Sequence, residues 1–105
     1  MIRTVGGGEL DGALAAEDRL VLLAFLSEGC EPCRELRPQL AELASSHGDT
    51  CAVIAVDADH DPAIAARYGV SSFPTLIFLK RGAELRRVKS GALPPSTLAL
   101  LRDVE

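Results

Sequence analysis

The sequence predicts an α/β domain whose central sheet contains both parallel and antiparallel strands. Two short, continuous apolar runs, Leu20–Leu26 and residues 51–56, are separated by a helical pattern, and this order of strand, helix and strand gives two parallel strands. A third apolar run, residues 76–79, is joined by a turn at residues 80–83 to a further strand at residues 84–88. That pattern is typical of an antiparallel hairpin, so the sheet is predicted to be mixed.

Length and composition indicate one domain. A chain of 105 residues with 48% hydrophobic content fits a single compact domain, residues 1–105, with a core of its own. The formal net charge of −4 does not favour nucleic-acid binding, and the basic run at residues 86–89 is interpreted as a solvated strand edge. No run is long enough to span a membrane, and the first residues lack the apolar stretch of a secretory signal. A cytoplasmic location is therefore expected.

The first elements are predicted from short patterns. Residues 2–5 form a short strand, and the glycines at residues 6–8 lead into a helix over residues 9–16. Leu20–Leu26 is then a strand buried on both faces, because every residue in it is apolar.

A long amphipathic helix follows from Glu31. Its apolar residues fall on one side, at helical spacing, and its polar residues largely on the other; the apolar ones are Leu36, Leu40, Leu43 and Ala44. Pro38 removes one internal hydrogen bond and is predicted to kink the helix one turn past Cys33. The polar segment at residues 45–49 ends the helix.

The acidic segment at residues 57–61 has two interpretations. It resembles the start of a calcium loop, but the sixth position is Pro62 where glycine is needed, and the twelfth is Tyr68 where glutamate is needed. Calcium is therefore rejected. Instead, Asp61 is predicted to cap a helix that begins at Pro62 and ends at Tyr68, with Gly69 as the stop.

The end of the chain is predicted to be helical. Gly91 and the segment Pro94-Pro95-Ser96 break the strand pattern, and a last amphipathic helix then carries Leu98, Leu101 and Val104.

Cys30 and Cys33 are the candidate catalytic residues. They lie between the first buried strand and the long helix, so Cys30 is placed at a helix N-terminus. The unpaired N–H groups there carry about half a positive charge, which favours thiolate over thiol and gives a poised nucleophile. Pro32 fits the first helical turn and stiffens the bridge between the two sulfurs. The dithiol is therefore predicted to open and close as a disulfide.

Zinc is the alternative use of these thiols. Cys30 and Cys33 could supply two ligands, and the other candidates are Cys51, His47 and His60. The chain has no second paired motif of the kind that zinc sites use, so zinc is disfavoured and no metal is predicted. Cys51 opens a buried strand and is predicted to act as a small apolar residue without a redox role.

Six segments, in order and spacing, carry a family resemblance: Cys30-Glu31-Pro32-Cys33, Pro38, Val56-Asp57-Ala58-Asp59, Arg67-Tyr68-Gly69-Val70, Phe73-Pro74-Thr75 and Ser90-Gly91-Ala92. With them the chain resembles the thioredoxin family over essentially its whole length. The resemblance implies the thioredoxin fold, a central mixed sheet of four or five strands with helices on both faces.

The resemblance also implies a thiol-disulfide oxidoreductase. Cys30 would attack a disulfide in a partner protein, Cys33 would resolve the mixed disulfide, and the reaction would reduce the partner. No bound cofactor is needed, since electrons would arrive through the same dithiol from a thioredoxin-reductase-type protein. In that family the proline corresponding to Pro74 is cis and lies against the dithiol. The implied substrate groove of a monomer comprises Gly29, Cys30, Glu31, Pro32, Phe73, Pro74 and Gly91.

Four positions depart from the family pattern. Gly29 replaces the usual tryptophan, and Glu31 replaces the usual glycine, which adds a negative charge beside the thiols. The family's buried aspartate corresponds to Ala24 and its paired lysine to Val53. Losing both together need not harm the fold, but proton removal from Cys33 is expected to be slow. These losses favour an alternative, a thioredoxin-fold binding or chaperone-like module with little turnover.

Overall fold

The computed structural model of the protein describes residues 2–89, 91 and 93. Its elements in chain order are β1 (Arg3–Thr4), α1 (Gly7–Ala15), β2 (Leu20–Leu26), α2 (Glu31–Ser46), β3 (Cys51–Asp57), α3 (Pro62–Arg67), β4 (Thr75–Lys80) and β5 (Ala83–Val88). The predicted order of strands and helices is confirmed throughout this part of the chain. The predicted last helix, with Leu98, Leu101 and Val104, lies outside the described residues.

The described strands form one mixed sheet in the order β1-β3-β2-β4-β5. β3 is parallel to both β1 and β2, whereas β4 is antiparallel to β2 and β5 is antiparallel to β4. The end of β2 therefore meets the end of β3 and the beginning of β4 at one edge of the sheet, where Leu26 is in register with Asp57 and Phe25 with Thr75. The loop between β2 and α2 therefore lies at this edge of the sheet.

The sheet is covered on both faces, as predicted. The α2 residues Leu36, Leu40 and Leu43 pack on one face, and residues of α1 and α3 pack on the other. Every residue of β2 is at most 2% exposed, which explains why its sequence is apolar throughout instead of alternating. Burying one large aliphatic side chain stabilises the fold by about 1.5–3 kcal/mol, so β2 is a rigid support for the loop that follows it.

Several predicted boundaries shift by one or two residues. β1 is shorter than residues 2–5, and α1 begins earlier than predicted, at Gly7, because the Glu9 carboxylate accepts a hydrogen bond from the Gly6 N–H at 3.3 Å. Asp61 is the N-cap residue of α3, as predicted, although its carboxylate makes no hydrogen bond to the helix N-terminus. Gly69 has a φ of +70° and follows the helix end, as a stop residue should.

The remaining elements match their predicted positions closely. β3 extends one residue further than predicted, to Asp57, and β4 and β5 are joined by a turn at Arg81 and Gly82, which have φ values of +51° and +81°. Pro38 lies inside α2, and the helix continues past it to Ser46. The helix therefore accommodates the proline without ending.

Tyr68 packs on the sheet face that α1 and α3 cover. Its ring centroid lies 5.7 Å from that of Phe25, and the Arg67 guanidinium lies 5.3 Å from the centroid of the Tyr68 ring. The side chains of α2 and Cys33 belong to the cluster on the opposite face, so the sheet separates Tyr68 from the helix that carries the dithiol.

Candidate active site

Cys30 and Cys33 lie at the junction between β2 and α2 and form a disulfide, with their Cα atoms 5.2 Å apart. Cys30 is the N-cap residue of α2, and its Sγ accepts a hydrogen bond from the Cys33 N–H at 3.2 Å. Gly29, with a φ of +78°, turns the chain into the helix; this backbone conformation suits glycine and is rare for other residues. The sulfur of Cys30 thus occupies the electropositive end of α2.

The two sulfurs differ in access. Cys33 is only 2% exposed and belongs to the apolar cluster under α2, whereas Cys30 is only partly buried at the surface end of the helix. A partner protein can therefore approach Cys30 but not Cys33. This difference is what a dithiol needs if one sulfur is to attack an external disulfide and the other is to react afterwards.

Glu31, the residue that adds a negative charge beside the thiols, has a positive neighbour. Its carboxylate lies 3.0 Å from the Arg34 guanidinium, and both side chains are largely exposed. An exposed pair of this kind stabilises the protein little, but it partly balances the charge that Glu31 brings to the site.

Gly91, near the end of the described residues, packs against the active-site loop. A Cβ atom built on Gly91 would lie 2.9 Å from the Cβ of Pro32, closer than side chains normally approach. Pro32 and Gly91 are therefore in direct contact.

Phe73 and Pro74 reach the same edge of the sheet through β4. The Phe73–Pro74 peptide bond is cis, as the family resemblance implies. Pro74 immediately precedes Thr75, which is in register with Phe25 near the end of β2. Phe73 packs against the apolar cluster under α2. This cluster contains Cys33, and Cys30 also packs against it. The structure thus brings all the predicted site residues to one end of the sheet.

Asp59 is a site residue that the sequence analysis did not identify. Its carboxylate accepts hydrogen bonds from the Glu28 N–H at 2.6 Å and the Ser27 hydroxyl at 3.2 Å, so it holds the loop that precedes Cys30. A usable signal was present in the sequence: Asp59 follows β3 and Ser27 follows β2, and the ends of adjacent parallel strands meet at one edge of a sheet.

Comparison with known proteins identifies the family. The thioredoxin family model matches residues 2–101. Thioredoxin 1 of Synechococcus elongatus is 39% identical over 79 residues, which cover 75% of this chain and 73% of the relative. Thioredoxin of Streptomyces clavuligerus is 33% identical over 98 residues, 93% of this chain and 90% of the relative. The X-ray structure of Fasciola hepatica thioredoxin superposes with a TM-score of 0.86 at 25% identity and covers 98% of this chain and 99% of that one. The chain belongs to the thioredoxin family.

Family membership and the paired cysteines together establish the activity. The protein is a thiol-disulfide oxidoreductase of the thioredoxin family, and the pair that supports this activity is Cys30 and Cys33. The predicted thioredoxin fold, with its mixed sheet and helices on both faces, is also confirmed. Proteins of this family act on disulfides in other proteins and receive electrons from a reductase.

The sheet beneath the dithiol is apolar where the family usually has a charged pair. Ala24 is 0% exposed and is in register with Ala55, which is 1% exposed. Val53, the residue expected to occupy the lysine position, is instead in register with Leu22. The prediction that Val53 neighbours Ala24 is therefore wrong, because the parallel register places Ala55 there. The main expectation still holds, since neither neighbour carries a charge.

Cys51 lies far from the dithiol. It is the first residue of β3, in register with Leu20 at the opposite end of β2; at about 3.3 Å per residue, the length of β2 separates it from the active-site loop by about 20 Å. Burial raises the pKa of the Cys51 thiol to about 11. Within the described residues, no group of three or more His, Cys, Asp or Glu side chains is placed to hold a metal ion.

Cys51 should react with alkylating reagents far more slowly than the reduced dithiol. The thiolate is the reactive form, and with a pKa of about 11 almost no Cys51 is ionised at neutral pH. In the reduced native protein, iodoacetamide labelling followed by peptide mass mapping should place the label on Cys30 first and on Cys51 last. Cys51 labelling should become fast only near pH 11 or after unfolding. Preferential labelling of Cys51 at pH 7 would contradict this assignment.

Proposed function

We propose that this protein reduces disulfides in partner proteins, with Cys30 as the attacking thiol and Cys33 as the resolving thiol. The observation that carries the proposal is the difference in access, since Cys30 is only partly buried at the N-terminus of α2 and Cys33 is 2% exposed beneath it. The exposed sulfur forms the mixed disulfide, and the buried sulfur closes the internal one and releases the reduced partner.

The proposed substrate groove surrounds Cys30. It comprises the bridge residues Glu31 and Pro32 together with Gly29, Phe73, Pro74 and Gly91. The contact between Gly91 and Pro32 and the position of Phe73 beside the same cluster support this outline. Gly29 offers no side chain to a substrate, so the groove should grip large apolar residues less strongly than one with tryptophan at this position. We infer a preference for partners that present a polar or small segment next to the disulfide.

We further propose a thioredoxin-reductase-type protein as the electron donor, with no bound cofactor in this chain. The proposed location is the cytoplasm, where thiols are kept reduced. The buried free thiol of Cys51 and the membership of the family support this location. In the part of the chain that the structure describes, no helix is long and apolar enough to cross a membrane.

The protein is proposed to act as a monomer that does not bind nucleic acid. Leu85 is the single large apolar side chain exposed among the described residues, so the part of the surface that the structure describes offers little apolar area to a stable dimer. The net charge of −4 opposes binding to nucleic acid.

The direction of the reaction is tested by the reduction potential of the dithiol. The protein is equilibrated in thiol-disulfide buffers of graded potential, and the reduced fraction of Cys30 and Cys33 is counted by alkylation and mass measurement. A reductase should have a midpoint near that of thioredoxin, about −270 mV. Catalysed reduction of insulin with a thioredoxin reductase and NADPH should accompany this value. A midpoint near that of strongly oxidising oxidoreductases, about −120 mV, or an absence of turnover, would contradict the proposal.

A further inference from the structure

Resolution of the mixed disulfide requires a proton to leave Cys33. In that step the Cys33 sulfur attacks the Cys30 sulfur, the bond from Cys30 to the partner's sulfur breaks, and the partner leaves as a thiolate. The Cys33 thiol must lose its proton as the new bond forms. The side chain is 2% exposed, and the nearby sheet positions Ala24 and Ala55 carry no base. The proton must therefore leave by another route.

A cavity beside Cys33 offers this route. Its volume is about 380 Å³, and it lies between the ends of β2 and β3 and the first turns of α2. Its polar lining includes Glu28, Arg34, Arg37 and Asp57, and Cys33 forms part of its wall. A water molecule occupies about 30 Å³ in the liquid, so the cavity can hold several. Cys33 and two carboxylate residues, Glu28 and Asp57, therefore line one space that water can fill.

Asp57 is the better fixed of these carboxylates. It ends β3 in register with Leu26, and one carboxylate oxygen accepts a hydrogen bond from the Asp59 N–H at 3.0 Å. The other oxygen lies 3.5 Å from the Nε2 atom of His60. The Glu28 side chain is exposed, and the hydrogen bond that holds Glu28 is made by its backbone N–H to Asp59. Position and rigidity both favour Asp57 as the proton acceptor.

We propose that Asp57 accepts the Cys33 proton through water in this cavity during resolution of the mixed disulfide. This inference rests on the proposed roles of Cys30 and Cys33. The electron pair of the Cys33 S–H bond becomes the pair that attacks Cys30, and the departing thiolate keeps the electrons of the broken S–S bond. The proton passes by water to the Asp57 carboxylate and from there to solvent. No further oxidant or reductant is needed.

Charged side chains surround Asp57. Arg34, Arg37 and Glu28 line the same cavity, the Asp59 N–H donates a hydrogen bond to the Asp57 carboxylate, and the Nε2 atom of His60 lies 3.5 Å from that carboxylate. Alkaline solution deprotonates a thiol without the help of a general base, so the contribution of Asp57 to resolution should shrink as the pH rises.

The test separates attack from resolution in the full chain. Reduced protein is mixed with a peptide disulfide, quenched with acid at set times and alkylated. Mass measurement then counts reduced protein, mixed disulfide and oxidised protein. For Asp57→Asn we expect attack within twofold of the wild-type rate and resolution at least tenfold slower at pH 7, because general base catalysis typically contributes a factor of about 10²–10⁴. The difference should shrink toward onefold as the pH rises.

Asn is the informative replacement because its side-chain oxygen can still accept the hydrogen bond from the Asp59 N–H. Asp57→Ala removes that acceptor as well, so slow resolution in Asp57→Ala with normal resolution in Asp57→Asn would show a structural role and overturn the proposal. Asp61→Asn removes a neighbouring charge that does not line the cavity and should leave both phases unchanged. Equal slowing in Asp61→Asn, or slowing in Glu28→Gln in place of Asp57→Asn, would also overturn it. A wild-type protein that fails in the attack phase would instead contradict the proposed function.

Discussion

Cys30→Ser should abolish turnover, whereas Cys33→Ser should still attack a partner and then stop as a stable mixed disulfide. Cys30 is the accessible sulfur at the helix N-terminus, and without it the 2% exposed Cys33 cannot reach an external disulfide. Without Cys33, the first step remains but the internal disulfide cannot close. We expect insulin reduction to fall to the uncatalysed rate in both variants. Non-reducing gels and mass measurement should detect the trapped partner only for Cys33→Ser.

Cys51→Ser is the matched control for these two variants. Cys51 is buried at the far end of β3, so its replacement should change stability more than turnover. Equal trapping of partner protein by the Cys30→Ser and Cys33→Ser variants would contradict the assigned roles. A disulfide that contains Cys51 in either variant would do the same.

Ala24→Asp should be strongly destabilising at neutral pH. Ala24 is 0% exposed, and its neighbours in register are Ala55 and Leu76, so an introduced carboxylate would have no charged or hydrogen-bonding partner. An uncompensated buried charge costs on the order of 3–5 kcal/mol. Urea unfolding monitored by circular dichroism should report a loss of this size at pH 7.

The pH dependence of this variant has a definite sign. Burial raises the pKa of a carboxyl above its unfolded value of about 3.9, so the unfolded chain releases a proton that the folded chain retains. The stability difference from wild type should therefore be largest at neutral pH and should shrink as the pH falls toward 4. A difference that grows as the pH is lowered would contradict burial as the cause.

A second substitution tests the register of β2 and β3. Ala55→Lys places an ammonium group beside residue 24, so it should recover part of the stability lost in Ala24→Asp. Val53→Lys is the control, because Val53 is in register with Leu22 and lies two residues before Ala55 in β3. Coupling between residues 24 and 55 in a double-mutant cycle, and not between residues 24 and 53, is the expected result. Stronger coupling with residue 53 would show that the register is wrong.

Local patterns were sufficient to predict the elements that position the dithiol. β2 could be predicted because seven consecutive apolar residues require burial on both faces. α2 could be predicted because its apolar residues recur at helical spacing after Cys30. Both signals depend on neighbours in the chain, so neither requires knowledge of the tertiary structure. Pro74 and Gly91 came instead from the family resemblance, whose motifs carry positions that are distant in sequence.

The register between strands, and the contacts that join their ends, were harder to predict. Val53 was expected beside Ala24, but the register of β2 and β3 places Ala55 there. An apolar strand contains no feature that distinguishes this register from one shifted by two residues. The roles of Asp57 and Asp59 were missed for a related reason. Along the chain they resemble the ligands of a calcium loop, but Asp59 makes its hydrogen bonds to the loop after β2, and Asp57 lines a cavity together with residues of that loop.

The positions of the aromatic side chains determine what intrinsic fluorescence can report about this protein. The chain has no tryptophan and a single tyrosine, and Tyr68 packs with Phe25 on the sheet face opposite α2 and Cys33. The sheet thus shields the one strong fluorophore from the sulfurs. Emission from Tyr68 should therefore report loss of the tertiary structure and should change little while the dithiol opens and closes. Tyrosine fluorescence is thus a poor reporter of the oxidation state, which chemical labelling or mass measurement reports directly.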